Sequence, residues 1–291
     1  MYTFNGNILT VDNKWTGDGS RPLPPTPAGT RWIRVQYLDG YSPTITKYDR
    51  MVQVSPNVWD VYYDNANWTT MFLRQQKLVK VLAADTTGVT NMSNMFSGCD
   101  LLNEVIPANL ITSSVTDTTS MFMNCHFLRS VPAFDLSNAA NCTWMFAYSG
   151  LRTCPTFDLS STRNTSNMFL ECPLNPIPAF DLSEVYYCGH MFKGNQSATS
   201  IPDFDLSNSS EIMYMFAGCN RVTELPNITY SSYLNCEATY AQMWLVETGI
   251  TREYQKLADG RADGYLGCFF QCGMMTDTGS AELAQIPNDW K

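Results

Sequence analysis

Hydrophobic residues in this chain recur with a period far longer than that of a helix or a strand. The dipeptide Met-Phe stands at Met71, Met95, Met121, Met145, Met168, Met191 and Met215, at spacings of 24, 26, 24, 23, 23 and 24 residues. Met243-Trp244 and Phe269-Phe270 extend the series in degenerate form. Between these marks lies a second shared string: Leu, two variable residues, Val, Ile or Leu, Pro, any residue, then Phe-Asp-Leu-Ser. It reads LRSVPAFDLS from Leu128, LRTCPTFDLS from Leu151, LNPIPAFDLS from Leu174 and ATSIPDFDLS from Ala198. Looser copies begin at Leu102, Val222 and Ile250, and a last one, LAQIPNDW, begins at Leu283.

A unit of this length holds one short strand and one turn of helix. It cannot bury its own apolar face, so the units must stack. Within the string, Phe134 and Leu136 alternate with Asp135, the period of a half-buried strand. Ahead of Met-Phe, apolar residues fall three apart (Val89, Met92, Met95; Ile212, Met215), which predicts a short α or 3₁₀ turn. The column Pro132, Pro155, Pro178, Pro202 and Pro226 marks a strand start or bulge, because Pro lacks the N–H a ladder needs. The pattern predicts a β-rich α/β solenoid of 23–28 residue rungs over residues 71–291. Its strings would form one parallel sheet, with Phe134, Phe157, Phe180 and Phe204 stacked in one buried column.

The N-terminal part follows a different grammar. Tyr2 to Val11 reads as a hairpin around Asn5-Gly6-Asn7, and residues 20–29, SRPLPPTPAG, read as a stiff Pro-rich linker. Ile33, Val35 and Tyr37, then Val52 and Val54, alternate with polar residues and predict two strands. The expected organisation is a docking hairpin in residues 1–19, the linker at 20–29, a β cap over 30–70 that shields the first rung's edge, and the solenoid over 71–291.

Composition narrows the class of partner. With 44% hydrophobic residues the chain can bury a sizeable core, while only 15% are charged, against roughly 25% in ordinary soluble domains. The net charge of −9 is concentrated: Gly88 to Thr248 holds 14 acids and 5 bases, which accounts for the whole excess. Such a surface repels phosphate backbones, so nucleic acid is not expected as a partner. Membrane insertion is not expected either, since no run approaches a span in length and no basic amphipathic helix is present. The first residues show no secretory signal. The expectation is a protein that stays where it is made, or leaves by a route needing no signal, such as assembly into a virus particle.

Candidate chemistry is sparse. Cys99, Cys125, Cys172 and Cys219 fall three residues after the Phe of Met-Phe, with Tyr148 and Asn195 read into the intervening rungs. Cys142 and Cys188 fall three before the Met. Such columns suit buried structural thiols, with a Cys99–Cys125 bridge between neighbouring rungs as the alternative. Cys268 and Cys272 lack a second ligand pair for zinc, and the two histidines, His126 and His190, sit in no catalytic or metal-binding string. No cofactor or metal is expected. The column Asp135, Asp158, Asp181, Asp205 reads as a series of Asx turns, the sharper reading being a carboxylate stripe for Ca²⁺ or a basic partner. Sequons such as Asn91-Met92-Ser93 and Asn164-Thr165-Ser166 are by-products of the repeat. The residue before each Met varies instead: Asn94, Ser120, Trp144, Asn167, His190, Tyr214, Gln242. With Arg163, Tyr186 and Tyr187 nearby, this column supplies the aromatics and Arg that dominate recognition surfaces, or rings that pack over neighbouring rungs. The candidate ligand-binding residues are Trp144, Arg163, Tyr186, Tyr187, His190 and Tyr214.

The strings VTNMSNMFSGC and MFMNCHFLRSVPAFDLSNAANCTWMF closely resemble the BspA-like leucine-rich-repeat surface proteins, also described as the Mycoplasma-lipoprotein-type repeat. The resemblance runs from about Met71 to Trp290. It implies a leucine-rich-repeat-like right-handed superhelix, a role in surface attachment or protein recognition, and no catalytic residues. The segment WIRVQYLDGYSPT through VQVSPNVWDVYYDNANW is similar to the leaders of repeat proteins encoded by gut bacteriophages. Together these readings point to a non-enzymatic virion component, a tail or head fibre, that contacts a host-surface protein or glycan and joins other virion proteins through residues 1–19. The alternatives are a bacterial cell-surface adhesin or interaction module and, from another class, a polysaccharide-degrading enzyme using paired carboxylates.

Overall fold

The computed structural model describes residues 2–5, 8–11, 30–232, 234–260 and 264–291. The expected linker at 20–29 lies outside these residues. Strands β1 (Tyr2–Asn5), β2 (Ile8–Val11), β3 (Trp32–Tyr37), β4 (Arg50–Ser55), β5 (Val58–Tyr62), β6 (Leu78–Asp85) and β7 (Glu104–Val105) form one mixed seven-stranded sheet in the order β1-β2-β4-β5-β3-β6-β7. The alternation read at Ile33, Val35 and Tyr37 is observed: all three are buried, against Met51, Trp59, Val61 and the first repeats. The opposite face carries a smaller cluster of Val52, Val54 and Tyr62. Buried Asp60 is held there by a bidentate pair with Arg34, at 2.6 and 2.8 Å. The hairpin expected near the N-terminus forms as β1–β2, but it does not stand apart. Its β2 pairs in parallel with β4, so β1 becomes the sheet's edge.

The repeats do not build the expected α/β solenoid, a leucine-rich-repeat-like right-handed superhelix. Regular structure is mostly sheet, and among the described residues the α-helices are two, α1 (Ile250–Asp259) and α2 (Asp277–Ala284). The Phe-Asp-Leu strings form no continuous parallel sheet. They contribute one two-residue strand, β8 (Asp205–Leu206), paired with β9 (Thr229–Tyr230), and isolated bridges such as Ser130–Thr153 lie just before the prolines. The Pro column explains this, because the Pro two residues before each Phe has no N–H to donate to a ladder.

Inter-repeat hydrogen bonds run instead through the segment around Met-Phe, which is neither α nor 3₁₀ but a series of turns. Two positions per repeat are left-handed: the residue before Met (Thr70, Asn94, Ser120, Trp144, Asn167, His190, Tyr214) and the residue two after Phe (Arg74, Asn124, Tyr148, Glu171, with glycines at 98, 194 and 218). Alternate N–H groups then point toward the next repeat, as in Met92 N to Asp117 O, Asn94 N to Thr119 O, Phe96 N to Met121 O and Gly98 N to Met123 O, at 2.8–3.0 Å. The intervening N–H groups close three-residue turns on their own repeat, as in Met95 N to Met92 O. Every N–H from Met92 to Cys99 except that of Ser93 is thereby satisfied by backbone, and Ser93 N is bonded to Asn91 Oδ1. The last repeat donates to the chain's own end, Gly267 N to Asp289 O and Phe269 N to Trp290 O. At the other end the Lys47 ammonium holds the Thr69 carbonyl at 2.6 Å.

The core is a set of side-chain columns. Phe72, Phe96, Phe122, Phe146, Phe169, Phe192 and Phe216 are fully buried and stack at centroid distances of 5.3–6.0 Å. Phe134, Phe157, Phe180 and Phe204 are buried beside them, with Phe134–Phe157 at 6.3 Å and Phe157–Phe180 at 6.1 Å. The column continues through Tyr240 and Phe269, at 5.8 and 5.3 Å. Met243-Trp244 is therefore out of register, as is Phe269-Phe270 by one residue. Gln242 belongs to the second left-handed column, not the one before Met.

The ten cysteines are free. Cys99, Cys125, Cys172 and Cys219 each point their thiol at the Phe carbonyl of the preceding repeat, at 2.8–3.4 Å, so Cys99 and Cys125 are unbridged. The intervening members of this column are Ser149 and Asn195; Tyr148 is one residue off and half-buried on the turn. Burial pushes the thiols of Cys99, Cys172 and Cys219 up to about 12.

Candidate functional site

The left-handed turns decide what faces solvent. A left-handed backbone costs an L-residue steric strain. In this chain the strain is over-determined by the inter-repeat bonds, so bulky residues are carried there with their side chains held off the core. Trp144 has φ 60°, His190 φ 60° and Tyr214 φ 55°, and all three are partly exposed. His190 and Tyr214, from adjacent repeats, stack at 4.9 Å. The Lys193 ammonium lies 4.7 Å from the Tyr214 ring centre, and the Tyr214 hydroxyl donates to Glu237 at 3.3 Å. Desolvation and the nearby Lys193 charge lower the His190 pKa, which favours the neutral imidazole. Desolvation, then the Glu237 charge, raises that of Tyr214.

The six residues singled out from the sequence fall into three groups. His190 and Tyr214 meet directly. Trp144 lies two repeats before His190, where its ring neighbours Tyr148 at 6.3 Å. Arg163, Tyr186 and Tyr187 lie on the approach to the turns: Arg163 sits over Tyr186 at 5.8 Å and reaches Glu184 at 3.3 Å, while both tyrosines are exposed. Tyr187 occupies a column otherwise filled by Asn67, Asn91, Asp117, Asn141, Asn164, Glu211 and Asn235. The Asn and Asp members accept an N–H from two residues on, as Asn91 does from Ser93 at 2.9 Å and Asp117 from Thr119 at 2.9 Å. The sequons at Asn91 and Asn164 are the sequence trace of these turns.

Beyond the Tyr214 ring the turn face hollows into a groove of about 550 Å³, and a second hollow of about 470 Å³ adjoins it, sharing Glu171, Gly194 and Gln196. The floor is made by small residues: Gly194 and Gly218 in the second left-handed column, with Ala217, Ala238 and Ala241. Lys193, Tyr214 and Glu237 form one wall, exposed Leu266 and Phe270 the other. The sequence reading missed Lys193, Glu171, Glu237, Gln196, Leu266 and Phe270. Glycine at 194 and again at 218, in successive repeats of a column that apart from Gly98 carries Arg, Asn, Tyr, Glu or Gln, was the available trace.

The aspartate column resolves to local turns. Asp135, Asp158, Asp181 and Asp205 each accept the N–H of the Ser two residues on, at 3.0–3.2 Å. The Ser160 and Ser183 hydrogen bonds hold the carboxyls of Asp158 and Asp181 below their ordinary range. Among the described residues no group of three His, Cys, Asp or Glu is placed to hold a metal, and no helix is long and apolar enough to cross a membrane.

The repeats match a family model described as Mycoplasma protein of unknown function, DUF285, over residues 66–175 and again over 150–244, together more than half of the chain. Neither a curated protein nor a solved structure matches it. The matched segments cover the stacked Met-Phe turns from Asn67 to Trp244, which are the units that carry the left-handed columns. The chain belongs to this Mycoplasma-type family, a repeat family of the BspA-like kind.

Proposed function

We propose that the protein is a non-enzymatic recognition protein of a bacteriophage virion, part of a tail or head fibre, which contacts a host-surface protein or glycan through its turn face. The observation that carries this reading is the placement of Trp144, His190 and Tyr214 at strained left-handed positions of a repeat whose core columns are otherwise uniform. Aromatics held rigidly at the surface give interface energy at little ordering cost. Arg163, Tyr186 and Tyr187 extend the same face. Placement in a virion rests on the similarity of the segment from Trp32 to Trp68 to phage-encoded leaders. Docking to other virion proteins is assigned to residues 1–19, where β1 offers a sheet edge. Mass spectrometry of purified phage particles tests this: the protein should be found in them at the copy number of a fibre subunit.

A second reading, a bacterial cell-surface adhesin, is favoured by membership of a BspA-like family. Detection of the chain on intact cells, and its absence from purified particles, would select that reading instead.

A further inference from the structure

We infer that the groove beyond Tyr214 is a binding site for an uncharged, hydroxyl-rich ligand, a segment of a neutral oligosaccharide. This deepens the recognition reading above and rests on it. The groove is not an accident of backbone geometry. The second left-handed column carries a side chain in most repeats, namely Arg74, Asn124, Tyr148, Glu171, Gln242 and Gln271 at φ 53–60°. Gly194 and Gly218 interrupt that series in two successive repeats, though the same turn accepts Glu171 just before them and Gln242 just after. A Cβ at Gly218 would meet nothing closer than 3.6 Å. Neither the space around Gly218 nor the column's conformation calls for glycine there, and its effect is to leave a trough open.

What lines the trough selects the ligand. Its volume lies in the range of small-molecule sites, roughly 300–1,000 Å³. The Phe270 and Leu266 side chains present apolar surface to one side. Tyr214 is fixed on the other side by His190, Lys193 and Glu237. The polar groups are of both kinds: the Gln196 and Gln242 amides donate and accept, the Glu171 and Glu237 carboxylates accept, and Lys193 donates. An anionic ligand would need donors and a surplus of positive charge, yet two carboxylates face one ammonium. A basic side chain would need acceptors alone, yet the Lys193 ammonium stands in the lining over Tyr214 and repels a second cation. Sugar rings offer C–H faces together with hydroxyls that both give and take hydrogen bonds, which matches the mixture. The adjoining hollow past Gln196 gives room for more than one ring.

The test uses the full chain on an array of uncharged oligosaccharides (β-glucans, mannans, xylans, galactans), with sialylated and sulfated glycans and Lys/Arg-rich peptides alongside. The expected result is retention on one or more uncharged glycans, undiminished in about 1 M salt, where charge attraction is screened within about 3 Å. Gly218→Tyr fills the trough and should weaken that binding at least tenfold, while Gly98→Tyr, in the same column outside the groove, should not. Gln196→Ala with Gln242→Ala alters only exposed side chains and should weaken binding as well, which keeps the test decisive if Gly218→Tyr fails to fold. Retention only on basic peptides or only on charged glycans, loss in salt, or binding unchanged in the groove variants that fold would overturn the inference. If adsorption to host cells depends on Trp144 but not on the groove, the site assignment fails and the recognition reading stands.

Discussion

Two residues, Phe146 and Trp144, lie on opposite sides of the division between core and turn face, and substituting each tests that division. Phe146 has no exposed surface, and its ring lies 5.6 Å from Phe122, 5.5 Å from Phe169 and 6.0 Å from Phe157. The backbone above and below is tied by the bonds Phe122 N to Met145 O and Phe146 N to Met168 O, so the column has little freedom to collapse onto a gap. Phe146→Ala should therefore cost about 3–5 kcal/mol, the range for a buried aromatic. In melting temperature this is on the order of 10 °C. Trp144 is partly exposed, left-handed at φ 60°, and has one aromatic neighbour. Trp144→Gly relieves a left-handed strain of about 1–2 kcal/mol. It adds about 0.5–1 kcal/mol of chain entropy and loses some packing on Tyr148, so stability should change by no more than about 1 kcal/mol. Urea unfolding read by circular dichroism and tryptophan fluorescence separates the two. A cost for Trp144→Gly equal to that of Phe146→Ala would place the ring in the core and refute the assignment.

Met168, fully buried, should not accept a charge: Met168→Asp should cost several kcal/mol and be read as a collapse of the unfolding midpoint. The nine buried thiols should resist alkylation in the native protein at pH 8, and all ten should react after denaturation without reductant, as counted by mass spectrometry. Burial raises the folded-state values of Cys142 and Cys188 to about 11 and of Cys99, Cys172 and Cys219 to about 12. The stability tied to their protonated form is thus present below the unfolded thiol range, near 8.5. It should be lost as pH rises through 11 to 12, visible as a falling melting temperature that Cys172→Ser partly flattens.

The period, the buried Met and Phe columns, the Asp-to-Ser turns and the strand at Ile33 to Tyr37 were all legible in the sequence, because each follows from apolar spacing or from a side chain that bonds its own backbone. The architecture of the repeat was not. Left-handed backbone is signalled by Gly and Asn, and Asn94, Gly98, Asn124, Asn167, Gly194 and Gly218 do mark it. Trp144, Glu171 and Tyr214 in the same columns hide it, since their tolerance comes from inter-repeat bonds that no single repeat reveals. With the bonds carried by turns, the proline-led strings had no ladder to propagate, and the expected parallel sheet does not form. The end of the array was misread for a simpler reason: Tyr240 replaces Phe and Thr239 replaces Met, while the buried Met243 three residues later imitates the motif. The partly exposed rings of Trp144, His190 and Tyr214 were legible through variation at a fixed column, but the groove beside them consists of missing side chains, which an inventory of chemical groups passes over.

We propose that target binding belongs to the turn face. Adsorption of purified protein to host cells, compared between the native chain and the chain carrying Trp144→Ala with Tyr214→Ala, tests it most directly. Both substituted positions are partly exposed, so the doubly substituted chain should keep its melting temperature and lose adsorption by at least tenfold. Adsorption unchanged in the double variant, at unchanged stability, would contradict the claim and move the binding surface elsewhere on the molecule.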